Sequence, residues 1–241
     1  MTYQERTYRN YVRADNLVKF EVIEKESDLL ILCRENLYDK ALAALLQARQ
    51  ELEQYAADHQ EFTQALKPLP PGREAAPLIK TMCQAGKQVK VGPMAAVAGA
   101  IAEQVGRELL QYSDEVIVEN GGDIFLKTNS PRKVGVYAGS SPFSEKLAIE
   151  VDPRPEPFAV CTSSGTVGHS LSFGKADAVL VIAGSAALAD AAATALGNMV
   201  QEVRDIDATL KAAKKIRGLE GALVIKDDQL GVLGKIKLVP C

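Results

Sequence analysis

Histidine and cysteine are scarce in this chain, and the few present are scattered. Two histidines and four cysteines occur among 241 residues. Cys33, Cys83, Cys161 and Cys241 form no C-x-x-C pair, so zinc-ligand spacing is absent and free thiols fit a reducing compartment. A basic excess is missing too. The 28 basic and 31 acidic residues are intermixed, giving a formal charge of −3 and no positive stripe to follow a nucleic-acid backbone. No uninterrupted apolar run is long enough to span a bilayer, and the start, MTYQERTYRNYVRADN, lacks the apolar region of a secretory signal. The expectation is a cytoplasmic protein without nucleic-acid or membrane partners, with a homo-oligomer left open. No G-x-S-x-G surrounds Ser163 or Ser164, so a serine-hydrolase elbow is lacking.

What is there is an irregular alternation of strand-like and helix-like segments. LVKFEVIEK (17–25) and DLLILCR (28–34) are β-prone runs separated by Glu26-Ser27, which predicts a hairpin. From Asn36, a candidate N-cap, apolar residues recur with helical period. A long helix over 36–66 is expected, ended by KPLPPG at 67–72 because proline cannot continue it. GPMAAVAGAIAEQVGRELL (92–110) predicts a second helix, entered through Pro93. EVIVENGGDIFLK (115–127), KVGVYAG and KLAIEV read as strands, as does ADAVLVIAG (176–184). SAALADAAATALGNMV (185–200) reads as a helix capped by Ser185, followed by a polar helix near 205–216 and strand-like GALVIKD and GKIKLVP. A chain of this length accommodates one large domain or two small ones. The break at 67–72 is short for a linker, so a single domain over 1–241 with a helical excursion is expected, of α+β class.

Three places could carry chemistry. SSGTVGHS (163–170) crowds three serines, a threonine, two glycines and His169 together. It reads either as a polar loop or as a cradle for an anionic ligand, with glycines for close approach and hydroxyls that both donate and accept. ENGGD (119–123) reads either as a hairpin turn or as a strand end stripped of side chains, with Asn120 and Asp123 as polar partners to a flat ring or phosphate. Asp190 is the only charged residue between Ala178 and Gln201. Thr194, four residues on, shares its helix face. The pair either marks a wet face or offers two hard oxygens suited to Mg²⁺ or Ca²⁺.

Taken in order, VENGGDI (118–124), CTSSGTVGHS (161–170) and ADAAATALG (189–197) resemble the motif succession of the ApbE-like flavin transferases, magnesium-dependent FAD:protein FMN transferases. With GPMAAVAGAIAE added, nearly the whole chain resembles a smaller ApbE-related family of bacterial and archaeal proteins. The resemblance implies an ApbE-like domain with a mixed or mainly antiparallel sheet backed by helices. It implies a small nucleotide ligand, FAD or FMN, in a pocket containing Asn120, Gly121, Gly122, Asp123, Thr162, Ser163, Ser164, Gly165 and Thr166. It places Asp190 and Thr194 on the D-x-x-x-T metal site, for Mg²⁺, and leaves His169 or Asp123 to take a proton if transfer occurs. Three features depart from the transferases. Ala98-Gly99 and Glu103 stand where they carry Lys-Gly and a following Asp, His169 is followed by Ser-Leu-Ser-Phe-Gly rather than an Asp-Pro segment, and no export signal is evident. A binding or sensor module without catalysis, or an enzyme of another phosphorylated ligand, is therefore the alternative.

Overall fold

The computed structural model describes residues 16–166 and 172–241. Its centre is an eight-stranded sheet in the order β1 (Val18–Glu24), β2 (Ser27–Cys33), β3 (Val116–Asn120), β4 (Asp123–Lys127), β7 (Phe158–Ser163), β8 (Ala178–Ala183), β9 (Leu219–Lys226) and β10 (Gln229–Gly234). A second sheet of three strands runs β11 (Lys237–Pro240), β6 (Leu147–Val151) and β5 (Arg132–Gly135). Every pairing in both is antiparallel, which narrows the expected mixed or mainly antiparallel sheet to the second option.

Side-chain alternation assigns the two faces of the large sheet. Leu29, Ile31, Val118, Phe125 and Cys161 belong to the core shared with the helices. Leu30, Leu32, Ile117, Leu126 and Val160 face the smaller sheet in a second core. Central strands β2 and β8 are buried on both faces, and their continuous apolar sequences, DLLILC and AVLVIA, reflect that position. Edge strand β1 is mostly exposed.

The helical layer comprises α1 (Tyr38–Asp58), α2 (Gln60–Gln64), α3 (Pro77–Val89), α4 (Val97–Leu109), α5 (Ala186–Gly197) and α6 (Ile206–Ala213). The helix expected over 36–66 is interrupted at His59, whose backbone (φ −133°, ψ 75°) leaves helical geometry. The His59 ring stacks on Tyr55 at 4.0 Å, and the bend lets α2 bury Phe62. Asn36 does not occupy the N-cap, which falls at Leu37; its Oδ1 instead accepts from the Tyr38 amide. Helix α3, opened by Pro77 and closed by Lys90 in the left-handed region, forms where the sequence analysis above places no element. In α5, Ser185 is the N-cap as expected. Nearly every position of α5 packs against protein, because alanine lets it lie close to both β7 and α4. Among the described residues no helix is long and apolar enough to cross a membrane.

Candidate functional site

The site forms where the β3–β4 hairpin meets α4 and α5. Asn120 and Asp123 pair directly across the turn. Gly121 and Gly122 form its two-residue connection with φ of +67° and +101°, as a type I′ hairpin requires. The ENGGD segment is therefore a tight turn in this fold. Its consequence is positional, because alternation from Val118 and Phe125 puts Asn120 and Asp123 on the helix-facing side of the sheet.

There Asn120 is committed to the scaffold. Its Nδ2 donates to the Ala98 carbonyl at 3.1 Å, pinning the turn to the start of α4. Asp190, on the second turn of α5, accepts from the Gly99 amide at 2.9 Å. A Cβ on Gly99 would come within 2.4 Å of the Ala186 carbonyl oxygen and 2.9 Å of the Asp190 Cβ. Only glycine permits this backbone-to-backbone crossing of α4 and α5, and it is that crossing which delivers Asp190 to the sheet end.

Asp190 is close enough for its charge to act on Asp123. Burial pushes the Asp123 carboxyl well above its ordinary value, and the charges of Asp190 and Glu119 push it further; the Cys161 thiol and the Thr162 backbone oppose this. Asp190 keeps some solvent exposure. The protein packed around it nevertheless raises its carboxyl to about 7, against the Gly99 and Ala98 amides, which lower it. Burial first, then the two aspartate charges, holds the Cys161 thiol protonated, so it acts as a donor. Its Sγ also lies 3.5 Å from the Ala186 carbonyl. Asp123 is 6% exposed, yet its Oδ1 is buried without a hydrogen-bond partner. Two adjacent carboxylates, one with an orphaned buried oxygen, call for a shared proton or a cation.

Among the described residues no trio of His, Cys, Asp or Glu side chains gathers to hold a metal alone. The side chains that could hold a cation are the carboxylates of Asp123 and Asp190 and the hydroxyl of Thr194, which lies one turn beyond Asp190 and is partly exposed. Such hard oxygens fit Mg²⁺, which usually keeps waters and completes its shell with substrate phosphates.

The remaining expected residues lie on β7 and the loop that follows it. Thr162 and Ser163 end β7, a strand formed where the sequence analysis above places none. Alternation from Cys161 turns the Ser163 side chain toward the helices and the Thr162 side chain away. Gly197 of α5 sits opposite the Ser163 hydroxyl. Thr166 donates its amide to Ser164 Oγ at 3.1 Å and its hydroxyl to Asp177 at 3.3 Å, while the Gly165 amide bonds Ala176. These contacts belong to loop architecture. A Cβ on Gly165 would meet the Gly174 carbonyl oxygen at 2.1 Å, and one on Gly174 the Gly197 carbonyl oxygen at 1.9 Å, so three glycines stack the loop onto the end of α5. His169 lies outside the described residues. Cys161 was not expected at the site, and Glu103 entered only as a departure from the transferases' Asp. The alternation of FAVCTS could have pointed to Cys161, since it sets that residue and Ser163 on one strand face.

The fold is similar to solved flavin transferases. ApbE from Vibrio cholerae aligns over 90% of this chain and 96% of its own with a TM-score of 0.59 and 13% identity. The ApbE protein of Thermotoga maritima aligns over 90% and 96% with a TM-score of 0.61, also at 13% identity. At that identity the likeness establishes the fold. In sequence, a UPF0280 protein of Methanococcus aeolicus is 42% identical across 80% of this chain and 79% of its own length. One from Methanothrix thermoacetophila is 42% identical across 81% and 83%. Residues 9–232 match the family described as AbpE bacteria, and the chain belongs to that family.

Proposed function

We propose that this protein binds a flavin nucleotide, FAD or FMN, together with Mg²⁺, and that Asp123, Asp190 and Thr194 would hold the cation. The observation that carries the reading is the buried, unpartnered Oδ1 of Asp123, a carboxyl that also lies within reach of the Asp190 charge. An ApbE fold and solved flavin transferases as neighbours support the flavin. When bound, Mg²⁺ supplies charge neutralisation at a pyrophosphate and orientation of an incoming oxygen.

The chain's own residues divide the remaining work. Asp190, held by the Gly99 amide, and Thr194 present oxygen on one helix face, and Asp123 approaches from the sheet. The bare hairpin at Gly121-Gly122 leaves open space above it, room for a ring. If transfer occurs, an acceptor hydroxyl attacks the FMN phosphorus, the pyrophosphate bond breaks and AMP leaves. The proton of that hydroxyl then passes to Asp123 or His169. A binding module without transfer is the second reading. It is favoured by Ala98, whose methyl offers no cation where the resemblance expects lysine, and whose carbonyl is already held by Asn120.

Calorimetric titration of the full chain with FAD, FMN and ATP, each with and without Mg²⁺, tests the first claim. Mg²⁺-dependent flavin binding is expected, and absence of any flavin binding overturns it. AMP release from FAD across a panel of hydroxyl acceptors separates the two readings.

A further inference from the structure

Glu103 belongs to no metal, flavin or proton-transfer role, yet it is a nearly buried carboxylate at the junction that carries Asp190, and only 9% exposed. Its Oε2 accepts from the Ala186 amide at 2.7 Å and from the Ser185 hydroxyl at 3.1 Å. Its Oε1 accepts from Arg107, one turn further along α4, at 2.7 and 2.9 Å. The first amides of a helix have no partner within the helix and carry partial positive charge. At α5 they are met from two sides, Leu188 by its own N-cap Ser185 and Ala186 by Glu103 from the neighbouring helix.

We propose that Glu103 is the positioning residue for Asp190, and that through this it sets the affinity of the site for a hard divalent cation. The inference rests on the cation site proposed above. Ala186 is gripped at both ends of its peptide units. Glu103 holds its amide, and Gly99, one turn earlier on α4, is pressed against its carbonyl. Asp190 lies one turn beyond Ala186 on the same face, where the Gly99 amide takes its Oδ2. Two turns of α4 therefore hold two turns of α5 in register, so α5 cannot slide or rotate without breaking the Glu103 bond. The separation of Asp190 from Asp123 is fixed by that register.

A second consequence concerns the ligand. A helix N-terminus is ordinarily a ready anion site, but that of α5 is already filled by a carboxylate from the same chain. Phosphates of a bound nucleotide are thus directed to the cation rather than to the start of α5.

The test uses Mn²⁺ in place of Mg²⁺, with its binding to the full chain followed by electron paramagnetic resonance and amide exchange at Gly99 followed by NMR. Glu103→Ala is expected to weaken Mn²⁺ roughly 10-fold, as loss of an outer-sphere partner does, and to speed Gly99 exchange. Glu103→Asp keeps the charge but is too short to reach Ala186, and is expected to behave alike, which covers a Glu103→Ala chain that fails to fold. Glu103→Gln keeps an acceptor and restores affinity to within about 3-fold of wild type. Arg107→Ala leaves affinity unchanged, because that side chain is 55% exposed. A lowered melting temperature with unchanged Mn²⁺ affinity and Gly99 exchange overturns the proposal and leaves Glu103 a helix cap. A wild-type chain that binds no Mn²⁺ overturns the cation site itself, and this inference with it.

Discussion

Two glycine-bearing segments border the site and use glycine for opposite reasons. At Gly121-Gly122 both residues sit at positive φ, and a Cβ on either would meet nothing within 4 Å. At Gly165 and Gly174 the backbone is ordinary and the space is gone, with a carbonyl oxygen 2.1 or 1.9 Å from where a Cβ would lie. The turn needs conformational freedom and the loop needs volume. Sequence composition makes them look alike, but their tolerance to substitution should differ sharply.

The largest effect is expected from Gly174→Ala. The new methyl cannot be housed without moving the Gly197 backbone, so the loss of stability should reach ~3 kcal/mol, the upper part of the range for overpacking. Urea unfolding monitored by circular dichroism measures it. A cost no greater than that at Gly121 would break the comparison.

Next comes the carboxylate that the turn carries. Asp190, raised to about 7, and Asp123, raised in the same direction, hold protons in the folded chain that the unfolded chain releases near pH 4. The contribution of Asp190 is complete below about pH 4 and is lost as pH rises through about 7, and that of Asp123 is lost as pH rises through its own raised value. The carboxylates that ion pairs and hydrogen bonds hold below their ordinary values, Glu26, Glu53, Asp114 and Asp205, act only at the acid end and with opposite sign. The melting temperature of metal-free protein is therefore expected to fall between pH 5 and 8, and excess Mg²⁺ with FAD should recover it at pH 8. A metal-free melting temperature that is flat or rising across that window contradicts the buried pair.

Asp123→Asn removes one of the two charges while keeping size. Metal-free stability at pH 8 should rise by ~1 kcal/mol, about the worth of one unit of pKa shift, while the Mg²⁺ response of the melt disappears. This sharpens the comparison, since it locates the importance of ENGGD in the side chain beside the glycines.

The smallest effects belong to the turn itself. Gly121→Ala should cost ~1 kcal/mol for a Cβ in the left-handed region, and Gly121→Asn only a few tenths, because asparagine visits that region readily. Thermal melts of both variants decide the order.

The features legible in the sequence were those with local causes. The β1–β2 hairpin follows from two β-prone runs and a short break, the Gly-Gly turn from backbone conformation, and the start of α5 from Ser185 before an alanine-rich run. Elements decided by tertiary packing were harder. The strand at FAVCTS is short and runs directly into small polar residues that suit a loop, and α3 lies beyond a proline-rich break. The bend at His59 leaves the helical period before it undisturbed. At the site, Asp190 stood out as a lone charge on an apolar helix. Asp123 stood out beside the glycines of ENGGD, but its meeting with Asp190 did not. Cys161 joins them through pairing of distant strands, and Asn120 turns its amide to Ala98. No local pattern encodes the reach of Glu103 to Ala186, because it depends on how two helices cross.

In the large sheet, the β4–β7 neighbours are joined through a long excursion that contains both β5 and β6. That pairing has a kinetic meaning. Hairpins such as β1–β2 and β3–β4 close short loops and form early, whereas non-local pairing must first meet the entropy of a long loop. Asp123 rides on β4 and Cys161 on β7, so the carboxylate acquires its buried surroundings only when this late closure occurs. A chain stalled before it would have most of its hairpins and an Asp123 still open to water, which makes burial of that carboxylate during refolding a clock for this closure.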